Sequence, residues 1–514
     1  MERFFNTTGP CHPTRHSVLP PRRRLPQLPG LVDRQLYFIV HGPRQTGKTT
    51  ALRAFAEAWT AEGRYAALHT SCETGAGADL DEAIEAILWS IQRAAEEALP
   101  AVLRPEPVGA VADAPPRSRL VEYLARWCRR SPRPVVLILD EIDTLGDEAL
   151  LSVLHQLRSG HPNRPEHFPA AIGLIGSRDL RADPDRHGSS TVTALPLDLD
   201  VESVAMRNFT LAEVAELVHD HAEATGQTFE ADAVVALHTS TGGHPWLVNA
   251  LARLAIDLRE HEDAPVTPGV LEQARDTLVL RRESHLDALV DRLHDARVQR
   301  VIEPILTGEL PAEEVHDDDL RTALDLGLVA MGESGLEIAN PIYREVVPRA
   351  LTRVVEAFLP VSATSYRDTD GMLHLDRLVD DFGGFWHEHA ERILDRRPYR
   401  AAAAPLAFMA CLQRAVNGGG FIDREYGVGQ RRIDLCVRWP HEGGVDRWVA
   451  ELRVWRPSQP DPLDRGLDDL VDYLERLGLK QGTLILFDLR SKTPPAPRHD
   501  EVEHGGHRLR VVRL

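Results

Sequence analysis

The sequence has 514 residues, of which 43% are hydrophobic and 27% are charged, and its formal net charge is −19. This length is enough for about three or four domains, and the composition excludes a disordered or fibrous chain. No apolar run approaches the roughly 18 residues that a membrane-spanning helix needs, and the start resembles no signal peptide. Five cysteines without a C-x-x-C pair argue against a disulfide framework and against a zinc site. We therefore expect a cytoplasmic protein without a membrane partner.

The acidic excess is unevenly distributed along the chain. Residues 401–514 contain 17 Lys+Arg and 16 Asp+Glu, so the negative charge belongs to residues 1–400. Phosphate contacts supply most of the affinity of proteins for nucleic acid. A broad nucleic-acid surface is therefore not expected in residues 1–400, whereas the C-terminal part does not repel nucleic acid in bulk.

Residues 1–34 are rich in proline and arginine and are predicted to form an ordered arm. The arm could contact nucleic acid or pack against the next domain, and packing is the favoured alternative. In residues 35–200, apolar strand-like runs alternate with helical segments, which predicts a parallel sheet covered on both faces. The proline-rich segment 100–116 is predicted to be a surface loop.

The segment GPRQTGKT, residues 42–49, matches the phosphate-binding pattern G-x-x-x-x-G-K-[ST] and lies between a strand and a helix. Its glycines let backbone N–H groups face phosphates, Lys48 reaches the β- and γ-phosphates, and the Thr49 hydroxyl binds Mg²⁺. The predicted nucleotide-binding residues of this loop are Gly42, Pro43, Arg44, Gln45, Thr46, Gly47, Lys48, Thr49 and Thr50.

The segment VVLILDE, residues 135–141, places Asp140 at the carboxyl end of a buried strand, where α/β sheets bind ligands. Asp140 is predicted to complete the Mg²⁺ shell with Thr49. Glu141 is placed to orient or deprotonate the attacking water. The alternative is a buried strand that ends in two solvated acids, and the phosphate-binding loop upstream disfavours it. No N-K-x-D guanine-reading motif occurs, so ATP is the expected nucleotide.

From about residue 201 the pattern becomes helical. Residues 201–262 are predicted to form a helical lid, and Thr210 with Glu213 has the spacing of a capping box. Residues 268–355 read as helices followed by a hairpin, which predicts a winged helix, and residues 356–400 are predicted to be a helical connector.

These motifs, with GSRD at 176–179 and GGHP at 242–245, resemble AAA+ ATPases of the origin-recognition and signal-transduction (STAND) type. The resemblance implies that Ser177 senses the γ-phosphate and that Gly243 and Pro245 contact the nucleotide from the lid. Gly243 could instead simply begin a helix. An arginine finger has two candidates, Arg178 and Arg207, and each could instead be structural.

The resemblance also implies the winged helix after the lid. Such a module can bind DNA, or it can pack on the ATPase and report its state. The acidic run HDDDLR, residues 316–321, opens the segment that would be the recognition helix. Its carboxylates would face phosphates, so packing is favoured.

Residues 401–514 show a helix, three strand-like runs, a second helix and a further strand. Asp434 in RRIDL and Glu451 in AELRV stand on the second and third of these strands, and Arg453 follows Glu451 by two positions on the same face. This arrangement resembles the PD-(D/E)xK nuclease superfamily, in which two acids hold Mg²⁺ and a lysine supports the attacking water. The resemblance implies that Asp434 and Glu451 are metal ligands, with Glu425 as a further acid.

Two positions depart from the nuclease pattern. Arg453 stands where the lysine belongs, and arginine neither loses a proton nor has the compact charge of lysine. Asp469 stands where the helix of such nucleases often carries glutamine. Three interpretations stay open: a catalytic nuclease, a degenerate fold used for binding, and a different α/β module.

The sequence thus predicts an α/β protein with a P-loop AAA+ core, a helical lid, a winged helix and a C-terminal PD-(D/E)xK-like domain. The expected function is an ATP-hydrolysing switch coupled to a nuclease-like domain, and the alternative is a non-cutting regulator. The expected cofactors are ATP and Mg²⁺. The candidate partners are DNA, a protein partner and further copies of the chain.

Overall fold

The structure is a computed structural model of the chain. It describes residues 3–177, 179, 201–281, 284–308, 315–332, 335–356, 366–368, 371–395, 399, 402–416, 419–427, 432–441, 444–457, 459–491 and 495–514. By its contacts the chain divides into two compact units, Met1–Ala274 with Asp325–Gly327, and Arg275–Leu324 with Leu328–Leu514. No helix within the described ranges is long and apolar enough to cross a membrane.

The first unit contains a five-stranded sheet in which all neighbouring strands run parallel. Its strands are β1 (Phe38–His41), β2 (Ala66–Ser71), β3 (Val135–Asp140), β4 (Ala171–Gly176) and β5 (Glu202–Ala205). Their order is β2-β3-β4-β1-β5. Strands β3 and β4 are completely buried, as expected for a parallel sheet with helices on both faces. Because β1 and β3 both flank β4, the phosphate-binding loop and Asp140 meet at one edge of the sheet.

Helices cover both faces of this sheet. They are α1 (Pro21–Arg24), α2 (Leu28–Asp33), α3 (Lys48–Ala61), α4 (Leu80–Ala98), α5 (Pro116–Arg130) and α6 (Asp147–Gly160). One apolar core lies between the sheet and α3, and another lies between the opposite face and α4, α5 and α6. The predicted α/β fold with a P-loop core is confirmed.

Three helices follow β5 in the region predicted as a lid. They are α7 (Leu211–Thr225), α8 (Ala231–Thr241) and α9 (Pro245–Asp257). The Thr210 side chain accepts from the Glu213 N–H, and the Glu213 side chain accepts from the Thr210 N–H. The predicted capping box is confirmed, and it fixes the start of α7.

Most residues of the segment 100–116 are exposed, as predicted for a surface loop, but three apolar side chains anchor it in the core. It forms two short 3₁₀ turns whose side chains Leu103, Val108 and Val111 are buried in the core beside α4 and α5. The Leu103 carbonyl also accepts a hydrogen bond of 2.8 Å from the Trp127 indole. The prolines set the extended backbone between these turns, but the apolar residues among them are packed.

The next elements along the chain are helices with one hairpin. They are α10 (Pro268–Arg281), α11 (Ser284–Arg292), α12 (Ala296–Leu306), α13 (Asp317–Asp325), β6 (Val329–Gly332), β7 (Gly335–Ile338) and α14 (Pro341–Glu356). Strands β6 and β7 pair antiparallel. This order contains the predicted helices and hairpin, and the winged-helix interpretation stays a prediction.

The second unit also contains a mixed six-stranded sheet. Its elements are α15 (Leu375–Asp395), α16 (Ala403–Val416), β8 (Phe421–Gly427), β9 (Arg432–His441), β10 (Gly444–Trp455), α17 (Leu463–Leu477), β11 (Gln481–Asp488), β12 (Arg498–His504) and β13 (His507–Arg513). The strand order is β12-β13-β11-β10-β9-β8. Strands β8, β9 and β10 pair antiparallel, whereas β10, β11 and β13 run parallel.

Helices α15 and α16 pack on one face of this sheet, and α17 packs on the other. Helix α15 lies in the segment predicted as a connector. It contributes Phe382 and Trp386 to the core under the sheet, where both side chains are almost fully buried. The sheet therefore shares its core with residues that precede 401.

Candidate functional site

The turn between β1 and α3 forms the predicted phosphate-binding loop. Gly42 has φ +149°, and a Cβ there would lie 2.8 Å from the Met206 carbonyl oxygen, so a side chain does not fit. Gly47, with φ +89°, is the N-cap of α3. Lys48 Nζ donates to the carbonyls of Gly42 and Pro43 at 2.6 and 2.8 Å, and burial lowers the pKa of Lys48 to about 8. The lysine and the first N–H groups of α3 together favour an anion at this turn.

Asp140, the last residue of β3, is buried and lies within hydrogen-bond distance of three groups. Thr49 Oγ1 donates to Asp140 Oδ2 at 2.7 Å, His69 Nε2 lies 2.9 Å from the same oxygen, and the Glu141 N–H donates to Oδ1 at 2.9 Å. Burial raises the pKa of Asp140, but the contact with His69 and these hydrogen bonds outweigh it and lower the pKa. An ionised carboxylate beside a threonine hydroxyl fits the few protein oxygens that Mg²⁺ takes besides phosphate and water.

Glu141 directly follows β3 with a left-handed backbone of φ +58°. Ser71 Oγ, at the end of β2, donates to Glu141 Oε2 at 2.6 Å. Burial raises the pKa of Glu141 above its ordinary value. A carboxylate of raised pKa at the carboxyl edge of the sheet suits a general base. Sequence reasoning missed His69 and Ser71, although both are polar residues at the end of an apolar strand.

Ser177 follows β4 at the same edge of the sheet. Its N–H donates to Asp143 Oδ2 at 2.9 Å, and its hydroxyl donates to the same oxygen. The candidate sensor is thus tied to the segment after Glu141. Of the two arginine-finger candidates, Arg178 lies outside the described residues. Arg207 Nη2 donates to Glu213 Oε1 at 2.9 Å, so its guanidinium is paired within the lid region.

Gly243 and Pro245 lie at the junction of α8 and α9. Gly243 has φ +67°, and a Cβ there would lie 2.0 Å from the Phe209 carbonyl oxygen. The Phe209 N–H donates to the Gly243 carbonyl at 2.8 Å. Pro245 is buried in the first turn of α9. These contacts explain the glycine by close backbone packing, and the nucleotide contact of both residues stays a prediction.

The N-terminal arm contacts both the phosphate-binding loop and the lid. The Cys11 N–H donates to Thr50 Oγ1 at 3.0 Å, and the Trp246 indole of α9 donates to the Thr7 carbonyl at 2.8 Å. Arg24 is buried and stacks on the Phe209 ring at 4.4 Å. The arm therefore packs against the nucleotide-binding unit, as the favoured alternative predicted.

One protein-family model matches part of the first unit. Residues 32–182 match the family model described as AAA domain. These residues form an AAA-type ATPase domain. The matched range contains the phosphate-binding loop, Asp140, Glu141 and Ser177.

Several solved structures align with about two thirds of this chain. The Walker-type ATPase of Pyrococcus abyssi is 12% identical with a TM-score of 0.48, and the alignment covers 67% of this chain and 99% of that one. Cdc6p of Pyrobaculum aerophilum is 15% identical with a TM-score of 0.36, covering 66% and 96%. The RuvB Holliday junction branch migration motor of Thermotoga maritima is 15% identical with a TM-score of 0.33, covering 63% and 92%. All three scores lie below 0.5, so these likenesses carry no argument.

A curated protein also matches part of the ATPase. Natriuretic peptide Mf-NP of Micrurus fulvius is 30% identical over 154 residues, which cover 27% of this chain and 99% of that protein. A match of this extent leaves most of this chain unmatched.

A second group of buried charges lies on the six-stranded sheet of the ATPase, on the face that α17 covers. Glu425, Asp434 and Glu451 are direct partners across β8, β9 and β10. Directly paired residues of antiparallel strands share a face, so we call these three residues the acid row. Arg453, two residues after Glu451, lies on the same face. The structure thus brings the predicted Asp434, Glu451 and Arg453 together.

Asp434 and Glu451 are fully buried. Among the described residues, neither carboxylate oxygen of Asp434 has a hydrogen-bond donor, and Oε2 of Glu451 has none either. Burial raises the pKa of Asp434 to about 6 and that of Glu451 to about 8, although Arg432 and Arg453 act in the opposite direction. Buried carboxylates of this kind require a cation or a proton.

Two arginines supply positive charge to the acid row. Arg453 is 3% exposed and donates through Nε to Glu451 and through Nη2 to Asp469 of α17. Arg432 Nε lies 3.3 Å from Asp434 Oδ2, and Arg432 Nη1 lies 3.7 Å from Asp469 Oδ1. The two departures from the nuclease pattern, Arg453 and Asp469, are therefore in contact. Sequence reasoning did not identify Arg432, although it stands two residues before Asp434 on β9 and therefore on the same face of the sheet.

Glu425 lies at the open end of the acid row. Its side chain is 47% exposed and forms an ion pair of 3.5 Å with Arg476 of α17. Across the described residues, no three His, Cys, Asp or Glu side chains are grouped closely enough to hold a metal ion. A metal at this sheet would depend on Asp434 and Glu451.

Proposed function

We propose that the ATPase is a nucleotide-driven switch that controls a nuclease-like domain acting on DNA. The observation that carries the nuclease-like part is the cross-strand pairing of Asp434 with Glu451, with three buried oxygens that lack donors. A different α/β module would have no reason to place two such carboxylates side by side. The AAA domain supplies the ATPase part of the proposal.

The nucleotide site would work through its own residues. Lys48 and the N–H groups of the phosphate-binding loop bind the β- and γ-phosphates of ATP. Thr49 and Asp140 hold Mg²⁺, which would neutralise phosphate charge when bound. Glu141 takes a proton from the attacking water, and Ser177 passes the state of the γ-phosphate to Asp143. Because the arm contacts both this loop and the lid, hydrolysis changes the orientation of the lid.

The acid row partly fits a divalent metal ion. Asp434 and Glu451 offer three oxygens without donors, and Mg²⁺ sites often use only one or two carboxylates besides phosphate and water. These two residues would hold the ion. When bound, it would supply charge neutralisation and an activated water at a phosphodiester. The contact of Arg453 with Glu451 opposes this fit, because the guanidinium already lies against one of the two carboxylates.

A non-cutting regulator is the second candidate function, and two observations favour it. The Arg453 guanidinium is held between Glu451 and Asp469, which leaves it poorly placed to support an attacking water. In the predicted winged helix, Asp319 is buried and accepts from Arg300 at 2.7 and 2.8 Å. One acid at the start of α13 is thus packed within its own unit, which favours a protein-contact role over reading DNA.

Incubation with nucleic acid separates the two candidates. Purified protein is mixed with supercoiled plasmid and with Mg²⁺ or Mn²⁺, with and without ATP. The nuclease proposal expects metal-dependent loss of supercoiled plasmid that Glu141→Gln alters and Asp434→Ala removes. A metal-independent, salt-sensitive gel shift without cutting would support the regulator. The proposed action on DNA would be refuted if the protein, while folded and hydrolysing ATP, neither cut nor bound DNA.

A further inference from the structure

We propose that Arg453 occupies the cation position of the acid row, so that a divalent metal ion binds there only when Arg453 is displaced. The inference rests on the proposed nuclease-like site. It goes beyond that proposal because it assigns Arg453 the place of the metal rather than a role beside it.

The contacts of Arg453 carry the first step. Its guanidinium is almost fully buried and donates through Nε to Glu451 and through Nη2 to Asp469. Glu451 belongs to β10 and Asp469 belongs to α17, so the Arg453 side chain links the sheet to the helix that covers it. A planar guanidinium keeps its charge and makes two directed contacts, whereas the compact ammonium of lysine is a point charge.

The surrounding residues are adapted to this side chain. At Gly466, in the first turn of α17, an added Cβ would lie 3.2 Å from Arg453 Nε and 2.9 Å from Leu484. The missing side chain leaves room for the arginine between helix and sheet. Asp469, one turn further along α17, supplies the negative charge that pairs with Nη2. Arg453, Gly466 and Asp469 thus form one fitted set.

Electrostatics gives the consequence for metal binding. Glu451 is fully buried, and the Arg453 guanidinium already lies at hydrogen-bond distance from its carboxyl group. A divalent ion beside the same carboxylate would meet an adjacent fixed positive charge in a poorly solvated site, where repulsion is strong. The arginine must therefore leave Glu451 before the ion can bind both acids of the row.

Mn²⁺ binding tests this directly, without reference to cutting. Free Mn²⁺ is measured by electron paramagnetic resonance in solutions of the full chain without nucleotide. All variants carry Thr49→Ala, which removes one of the two protein ligands proposed at the nucleotide site. Arg453→Met removes the guanidinium and keeps an unbranched side chain. We expect the acid row of this variant to bind one additional Mn²⁺ per chain, at least about tenfold more tightly than the acid row of the parent does. This binding should be lost when Glu451→Gln is added.

The matched control is Arg465→Met. Arg465 also lies near Asp469, at 3.8 Å, but its side chain is 63% exposed and no hydrogen bond joins it to the acid row in the described structure. This change should leave Mn²⁺ binding as in the parent. Equal Mn²⁺ affinity at the row in the parent and in Arg453→Met would overturn the proposal. So would a folded Arg453→Met protein that gains no ion.

A second variant covers a failure of Arg453→Met to fold. Arg453→Lys keeps a charge but loses the fork that joins Glu451 to Asp469, so we expect a smaller gain in Mn²⁺ affinity. In the unmodified protein, Mn²⁺ should not raise the unfolding temperature of the second unit. A rise that Glu451→Gln abolishes would contradict the proposal. Absence of DNA binding would refute the proposed function and leave this inference intact, so the two failures are distinguishable.

Discussion

The two acidic sites of the ATPase stabilise their buried carboxylates by different means. Asp140 lies at the edge of a parallel sheet among a hydroxyl, an imidazole and a backbone N–H, all of which can rearrange around an incoming ion. Glu451 lies under α17 against a fixed guanidinium. Donors that can rearrange leave room for a metal, whereas a buried and fixed arginine takes its place. Acids at the right spacing therefore do not by themselves make a metal site.

The largest effects should come from the nucleotide site. Lys48→Ala should abolish measurable ATP binding, because the phosphates lose the nearest cation. Glu141→Gln should retain ATP binding but slow hydrolysis by roughly 10²-fold or more, because the water loses its base while Asp140 still binds the ion. Both are measured by nucleotide binding and phosphate release. Lys480→Ala, an exposed lysine after α17, is the control and should change neither. Equal hydrolysis by Glu141→Gln and the unmodified protein would refute the assignment of Glu141.

The next largest effect is expected on DNA cutting, from substitutions in and beside the acid row. If the second unit cuts DNA slowly, Asp434→Ala should remove cutting, and Arg453→Lys with Asp469→Gln should raise the rate by about tenfold. The double variant must be measured, because substitutions in contact are not additive. Plasmid nicking is the readout, and Asp446→Ala, an exposed acid on β10, is the control. No cutting by the double variant with Mg²⁺ or Mn²⁺, while it remains folded, would leave only the regulator.

The raised pKa of Glu451 predicts a pH-dependent stability. The folded protein holds a proton on Glu451 up to about pH 8, whereas the unfolded chain releases it near pH 4.5. Stability from this residue is therefore fully present below pH 4.5 and is lost as pH rises toward 8. In metal-free buffer, the unfolding temperature of the second unit should fall across this window, and Glu451→Gln should reduce the fall by at least about 2 °C. Glu475→Gln on α17 serves as the control. An unchanged slope in Glu451→Gln would show that Glu451 is ionised throughout.

The smallest effect on ATP hydrolysis is expected from a substitution of Ser71. Its hydroxyl donates to Glu141, which lowers the basicity of that carboxylate and limits its movement. Ser71→Ala should therefore raise basal ATP hydrolysis severalfold, up to about tenfold, with ATP affinity unchanged. Phosphate release at saturating ATP measures this, and Ser118→Ala on α5 is the comparison. A slower Ser71→Ala protein would instead mean that the serine positions Glu141 for the reaction.

Sequence alone predicted the residues whose position follows from local structure. The phosphate-binding loop and Asp140 each follow a strand directly, and parity along β9 and β10 placed Asp434, Glu451 and Arg453 on one face. His69 and Ser71 could not be assigned in this way. Their contacts with the acids after β3 depend on β2 lying beside β3, which is set by how the intervening helices pack.

The contact between Arg453 and Asp469 was equally beyond the sequence. Sixteen residues separate them, and only the rotation of α17 over the sheet decides whether Asp469 faces the acid row. In the segment 100–116, proline content predicted the surface loop but not the burial of Leu103 and Val111. Composition indicates how the backbone bends, and tertiary packing decides which side chains of that backbone become buried.

The position of the arm gives the ATPase an intrinsic optical reporter. The Trp246 indole is 5% exposed and bonded to the Thr7 carbonyl, and Asn249 of the same helix donates to the Asn6 carbonyl at 2.9 Å. Departure of the arm would expose this indole to water and shift its emission to the red. An affinity tag placed at the C-terminus leaves these contacts untouched, whereas a protein beginning after residue 11 has lost them together with the bond from Cys11 to Thr50.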